Sequence, residues 1–154
     1  VYTPLQNPSL DRMLQRARGE LGFQTVARDG AARELMRCLK HGKSVGLIVD
    51  QRVDSGEMLP FFGTGMLTSV TPAQLALRFN CELIPVQVQR LPGARFRVSF
   101  HAPLRATDPA APAAEQASQL RRAINQLFEA WIRERPQEWM CTKRRWPKTT
   151  GSRE

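Results

Sequence analysis

The sequence has little from which to build a metal centre or a self-contained acid–base pair. Its only histidines are His41 and His101, and its three cysteines, Cys38, Cys81 and Cys141, are widely scattered and odd in number. No Cys-x-x-Cys or other metal-ligand spacing occurs, so neither a structural zinc site nor a disulfide scaffold has a basis here. The pattern suits small buried thiols in a reducing compartment. Five positions after His41 stands Gly46, and five after His101 stands Ala106, so neither histidine has a carboxylate at that spacing. The chain also lacks Gly-x-x-x-x-Gly-Lys, Gly-x-Gly-x-x-Gly and Gly-x-Ser-x-Gly, the signatures of phosphate loops, dinucleotide folds and serine hydrolases. No cofactor and no metal are expected. No apolar run nears the roughly 20 residues a membrane-spanning helix needs. The first residue is Val1, with no signal peptide after it, so residue 1 is expected to be a cut in a longer protein.

What is present is an ordinary globular composition with a marked charge bias. The 154 residues suit one domain, with 42% hydrophobic and 24% charged residues. Lys and Arg exceed Asp and Glu to give a formal net charge of +9. Such a surplus points to an anionic partner, whether nucleic acid, an acidic membrane surface, or a phosphorylated or acidic-protein substrate.

Punctuation along the chain predicts alternating helices and strands. Asn7 followed by Pro8 reads as an N-cap and first helical residue, with Leu10, Met13, Leu14 and Ala17 on one face and Gly22 as terminator. A second helix is predicted over 30–41, with Ala32, Leu35, Met36 and Leu39 inward and Gly42 as its cap. Val45 to Val49 is a nearly continuous apolar run, the pattern of a strand buried on both faces and half of a βαβ unit. Residues 51–70 read as a loop. Thr71-Pro72 opens a short helix to Phe79, which Asn80 closes in the left-handed conformation. Residues 83–90 and 95–101 read as two strands of an antiparallel hairpin joined by 91–94, with Phe96, Val98 and Phe100 on its buried face. Residues 102–117 form an Ala- and Pro-rich surface connection. A long amphipathic helix over about 114–135 carries Leu120, Ile124, Leu127, Phe128, Trp131 and Ile132, and Pro136 ends it. The expected fold class is α/β, a mixed β-sheet of about four strands flanked by helices, with 149–154 a disordered tail.

Three stretches carry chemistry. Asp50, Gln51 and Arg52 follow the apolar run, where ligands gather at the carboxyl ends of strands in open α/β sheets. A carboxylate there can orient a basic group or accept a hydroxyl proton, and Arg52 can clamp a phosphate. The same residues equally suit an ordinary turn with Asp50 as a local cap. In LPFFG, 59–63, Phe61 and Phe62 fit either the core or the wall of an apolar channel for an acyl chain. In 136–148, PQEWMCTKRRWPK interleaves Trp139 and Trp146 with Lys143, Arg144, Arg145 and Lys148. That mixture suits an anionic lipid interface, single-stranded nucleic acid, or a solvated tail with tryptophan anchors.

Taken in order, four blocks resemble the lipid A biosynthesis (lauroyl/myristoyl) acyltransferases of the lysophospholipid acyltransferase superfamily. They are VYTPLQNPSLDRMLQRARGELG, then VGLIVDQ with LPFFG and Thr68, then PVQVQR, and last IRERPQEWMCTKRRWPK. The resemblance covers 1–148, the C-terminal portion of the acyltransferase domain. It implies a partial acyltransferase fold and transfer of a fatty acyl group from acyl-acyl carrier protein to a hydroxyl of a lipid A precursor or related glycolipid. The implied location is the cytoplasmic face of the bacterial inner membrane, held peripherally on its anionic surface or anchored through an upstream segment. The family's His-x4-Asp/Glu block, whose imidazole takes the acceptor's proton, would precede Val1. No catalytic residue is therefore expected in this chain, and the fragment alone is expected to be inactive. By the same resemblance, Asp50 and Gln51 lie at the polar end of the acceptor site and Thr68 belongs to the same block. Arg52, Arg144 and Arg145 would recognise anions, and Phe61 and Phe62 would border the acyl chain. Thr3 stands where the family often has Arg, and Cys141 and Lys143 replace a common aromatic and His, which leaves the acceptor open among glycolipids. Two rivals remain on composition alone, a basic nucleic-acid-binding domain and a non-catalytic module that docks carrier protein. No nucleic-acid module is recognisable and the basic residues are spread along the chain, so nucleic acid is not expected as a partner.

Overall fold

A computed structural model describes residues 1–28 and 30–147; the tail at 149–154 lies outside them. The described chain is a mixed α/β arrangement of four helices and two small antiparallel sheets. It gathers into two compact units, divided between Ile48 and Val49.

In the first unit, α1 (Pro8–Glu20) starts as its sequence requires. The Asn7 side chain accepts from the backbone N–H groups of Ser9 and Leu10 at 3.0 and 3.3 Å, and Pro8 occupies the first turn, where its missing N–H costs nothing. Tyr2 forms a parallel bridge with Ala27 through bonds to Val26 and Arg28, which closes the chain around α1. Helix α2 (Ala31–Lys40) follows Gly30, and Gly42 adopts positive φ just after it, as a C-terminal glycine should. Leu35 is buried and Met36 and Leu39 are half-buried, but Ala32 is exposed and Ala31 takes the inward position instead. The apolar run at 45–49 is not a strand. Nothing among the described residues pairs with it, and Ile48 is 76% exposed. Apolar composition makes a strand only where a neighbour supplies hydrogen bonds, so the expected βαβ half-unit is absent here.

The second unit holds the larger core. Residues assigned above to a loop form a hairpin, β1 (Glu57–Phe61) and β2 (Thr64–Thr68), with Phe61 opposite Thr64. Its alternation is clean at the inward positions, where Leu59, Phe61, Met66 and Thr68 are buried. Gly56 packs against β2 so closely that an added Cβ would lie 2.2 Å from the Thr68 carbonyl oxygen. Helix α3 (Thr71–Phe79) begins with Pro72 in its first turn and ends at Asn80, which is left-handed as expected. Strands β3 (Val86–Leu91) and β4 (Arg95–Phe100) form the anticipated second hairpin. Its faces are reversed from expectation. Val86, Val88, Phe96, Val98 and Phe100 are exposed, while Gln87, Gln89, Leu91 and Ser99 are half-buried. Burial follows the covering chain, not hydropathy alone, and no described segment of this unit covers the apolar face.

Helix α4 (Ala113–Glu134) organises the unit. Ala117 and Leu120 join Ala73 of α3 in a buried cluster, with Leu77, Leu83 and Leu104 packed around it. Ile124 is buried further along the same stripe, and Leu127, Phe128, Trp131 and Ile132 are half-buried. A 3-10 turn, Pro136–Glu138, follows where the proline blocks continuation.

Candidate functional site

The β1–β2 hairpin turns on Phe62 and Gly63, both at positive φ (51° and 75°). Two consecutive positive φ values are the mark of a type I′ connection, whose usual occupants are Asn-Gly or Asp-Gly. A phenylalanine in the left-handed region costs about 1–3 kcal/mol and persists only where surroundings hold it. Three contacts hold it here. Its backbone N–H donates to Glu129 Oε1 at 2.8 Å, the Arg133 guanidinium sits 4.8 Å from its ring centroid, and Glu129 and Arg133 pair at 2.9 Å. Helix α4 thus fixes the hairpin tip.

That tip lies in an aromatic cluster. The Phe61 ring centroid is 4.8 Å from Phe62, 6.0 Å from Trp139 and 5.9 Å from Trp146. The segment after α4 is pinned to the hairpin by Trp146 Nε1, which donates to the Phe61 carbonyl at 3.2 Å. Arg145 lies among these rings, its guanidinium carbon 5.8 Å from the Phe61 centroid and the residue only 7% exposed. Its Nε and Nη1, together with Trp139 Nε1, are buried N–H groups with no acceptor among the described residues. Burial pushes the Arg145 pKa below its ordinary value, and the charges of Asp50 and Cys141 oppose that shift.

The residues singled out from sequence therefore divide. Phe61, Phe62 and Arg145 share one cluster, and the half-buried Asp50 is near enough for its carboxylate to act on Arg145. Phe61 is a core residue at 1% exposure. Gln51 and Arg144 are exposed, and Arg52 is half-exposed and paired with Asp54 of its own turn at 3.2 Å. Thr68 is buried under the hairpin, where its hydroxyl accepts from Asn125 Nδ2 at 2.9 Å.

Sequence reasoning missed the polar groups that seat this hairpin on α4. Glu57 accepts from Ser118 Oγ at 2.7 Å and from Arg121, with which it forms an ion pair. Asn125 Nδ2 also donates to the Pro60 carbonyl at 3.1 Å. Arg121 and Asn125 are four residues apart and adjoin Leu120 and Ile124, so they interrupt the edge of the apolar stripe. That interruption was the available signal. Burial tends to raise the Glu57 pKa, but the bonds from Ser118 and Arg121 and the charges of Arg121 and Arg122 outweigh it and hold the carboxyl below its ordinary range.

Chemically, the cluster is an apolar aromatic body with a buried cation and donor-only N–H groups at its heart, and with a carboxylate nearby. It offers a hold for an oxyanion attached to something greasy. Among the described residues no group of His, Cys, Asp and Glu could hold a metal ion. No helix among them is long and apolar enough to cross a membrane.

Comparison with known families places the chain in a class. Residues 1–148 match the family of bacterial lipid A biosynthesis acyltransferases, and the chain belongs to that family. As a class, these proteins pass an acyl group from a donor to a lipid acceptor. No curated protein matches the chain.

Proposed function

We propose that the chain is the acceptor-binding portion of an enzyme that moves a fatty acyl group from acyl-acyl carrier protein to a hydroxyl of a lipid A precursor or related glycolipid. The reaction belongs at the cytoplasmic face of the inner membrane, on an anionic lipid surface. An upstream His-x4-Asp/Glu block supplies the base, and the carboxylate of that block orients the imidazole. The acceptor hydroxyl oxygen attacks the thioester carbonyl and gives its proton to the imidazole. The C–S bond then breaks, and the carrier protein leaves as its thiol after taking a proton. In this portion, Asp50 and Gln51 hold the polar head of the acceptor and Arg145 faces its anionic group. Arg52 and Arg144 extend the positive field at the surface, and Phe62 borders the acyl chain beside Phe61, with Thr68 supporting the hairpin that carries both.

The single observation that carries this reading, beyond family membership, is the buried Arg145 guanidinium, set among aromatic rings and within reach of the Asp50 charge, whose Nε and Nη1 have no acceptor among the described residues. The test is acyl transfer from labelled acyl-acyl carrier protein to a phosphorylated glycolipid. A longer protein that includes the upstream block is expected to transfer the label, and Asp50→Ala to lower its rate by about tenfold or more. The 154 residues alone are expected to transfer none. Turnover by the isolated chain, or full activity of a folded Asp50→Ala enzyme, would overturn the respective statement.

A further inference from the structure

One face of the β3–β4 hairpin presents side chains that a hairpin ordinarily covers. The cross-strand pairs Val86–Phe100, Val88–Val98 and Arg90–Phe96 stand on it in order from root to turn. All six residues are exposed. With Phe96 60% and Phe100 75% exposed, the ladder offers on the order of 500 Å² of apolar surface, near the upper end of what a lone protein shows and a size that marks an interaction site. A charge pattern accompanies it. Residues 83–101 hold three arginines, Arg90, Arg95 and Arg97, and neither Asp nor Glu. Arg90 ends the apolar ladder at the turn, and Arg95 and Arg97 flank Phe96 along β4. Neither Arg90 nor Arg97 has a carboxylate partner among the described residues, whereas Arg121, Arg133 and Arg135 each have one. The hairpin also keeps both outer edges open, since among the described residues β3 and β4 pair only with each other.

Three kinds of occupant suit an apolar face, and these features choose among them. Lipid hydrocarbon leaves open backbone edges unsatisfied, so a membrane is a poor cover for this hairpin. A second copy would bring arginines to a face with no carboxylate to meet them, against the self-complementarity that a two-fold interface needs. An acidic protein meets every demand. Its carboxylates pair with the arginines, its apolar side chains cover the ladder, and its polar groups or water reach the edges. We infer that the β3–β4 face docks an acidic protein that sets apolar side chains between carboxylates, and that in the proposed reaction this partner is the acyl carrier protein delivering the donor. Only the partner's identity rests on that reaction. The face is built from residues with no part in the proposed acceptor site, so donor docking and acceptor binding are separate tasks of this unit.

The test is titration of the 154-residue chain with fluorescently labelled acyl-acyl carrier protein, with anionic phospholipid vesicles as a second arm and sedimentation of the chain alone as a third. Saturable binding of the carrier protein is expected, weaker at high salt. Arg90→Glu reverses the charge opposite Phe96, and Phe96→Ser removes the ring. Each is expected to weaken binding about tenfold or more. Both residues are exposed, so the fold tolerates both changes. Arg33→Glu alters the net charge by the same amount at an exposed position of α2, and is expected to leave binding as it is. An equal loss in Arg33→Glu would reduce the contact to general charge attraction and overturn the assigned face, as would full binding by Arg90→Glu and Phe96→Ser. Vesicle binding or self-association that those two variants abolish, with carrier-protein binding intact, would give the face to a membrane or a second copy instead. Absence of carrier-protein binding by the chain would overturn the inference outright. In the longer enzyme, Arg90→Glu is expected to raise the donor KM and leave the acceptor KM unchanged. Transfer with an unaltered donor KM in that variant would sink the docking face and leave the proposed reaction standing. Intact, hairpin-dependent binding beside a longer enzyme that transfers nothing would sink the reaction and leave the face.

Discussion

At the scale of single residues, the second unit depends on a few buried polar side chains more than its composition suggests. Arg121 is 7% exposed and has Glu57 as its partner, and Asn125, 3% exposed, bridges Pro60 and Thr68. Removing one side of such a pair strands the other, which costs more than the bond itself contributes. Glu57→Gln is expected to lower stability at neutral pH by about 1–3 kcal/mol, measured by urea unfolding. The pH dependence has a definite sign. Because the folded-state pKa of Glu57 lies below its ordinary value, its contribution is present above that ordinary value and is lost as pH falls through the folded one. Acid titration of the urea midpoint should therefore decline more steeply in the native protein than in Glu57→Gln. The interrupted stripe marks Arg121 and Asn125 in the sequence, but their partners were not legible there, since Glu57 and Arg121 are 64 positions apart and only the fold makes them neighbours. Asn7, Pro8 and Asn80 were legible because a cap or a left-handed residue acts within a few positions of itself.

At the scale of elements, the two hairpins show why hydropathy patterns succeed for one and fail for the other. The β3–β4 hairpin was readable because a Pro-Gly turn joins two alternating runs. The β1–β2 hairpin was not, because Phe-Gly is an unusual pair for its turn and Pro60 lies within a strand. Both are explained by place. Pro60 points outward at an exposed position of a two-stranded sheet, where a strand tolerates proline, and α4 holds Phe62 in its costly conformation. The alternation in β4 was correctly seen but assigned to the wrong side, since periodicity tells which residues share a face and not which face is covered. A contrast follows from these burials. Leu59→Ala, at 1% exposure, is expected to cost about 2–5 kcal/mol. Phe100→Ala, at 75% exposure, should cost within about 0.5 kcal/mol despite the larger side chain removed. Chemical denaturation of the two variants checks the pair. The same logic explains 45–49, whose apolar content reads as a buried strand but which has no pairing partner among the described residues.

At the scale of the whole molecule, the chain combines a net charge of +9 with an aromatic cluster built around Arg145, the combination on which the proposed acceptor site rests. Membership of the lipid A acyltransferase family gives that combination a reaction class. The family was legible in the four ordered blocks, whereas the buried Trp139 N–H without an acceptor among the described residues was not, because only the fold decides which indole finds a partner. The most direct measurement is steady-state kinetics of the longer enzyme with Arg145→Met, varying phosphorylated acceptor and acyl donor in turn. The acceptor KM is expected to rise about tenfold or more, with the donor KM unchanged. An unaltered acceptor KM in a folded Arg145→Met enzyme would contradict the account.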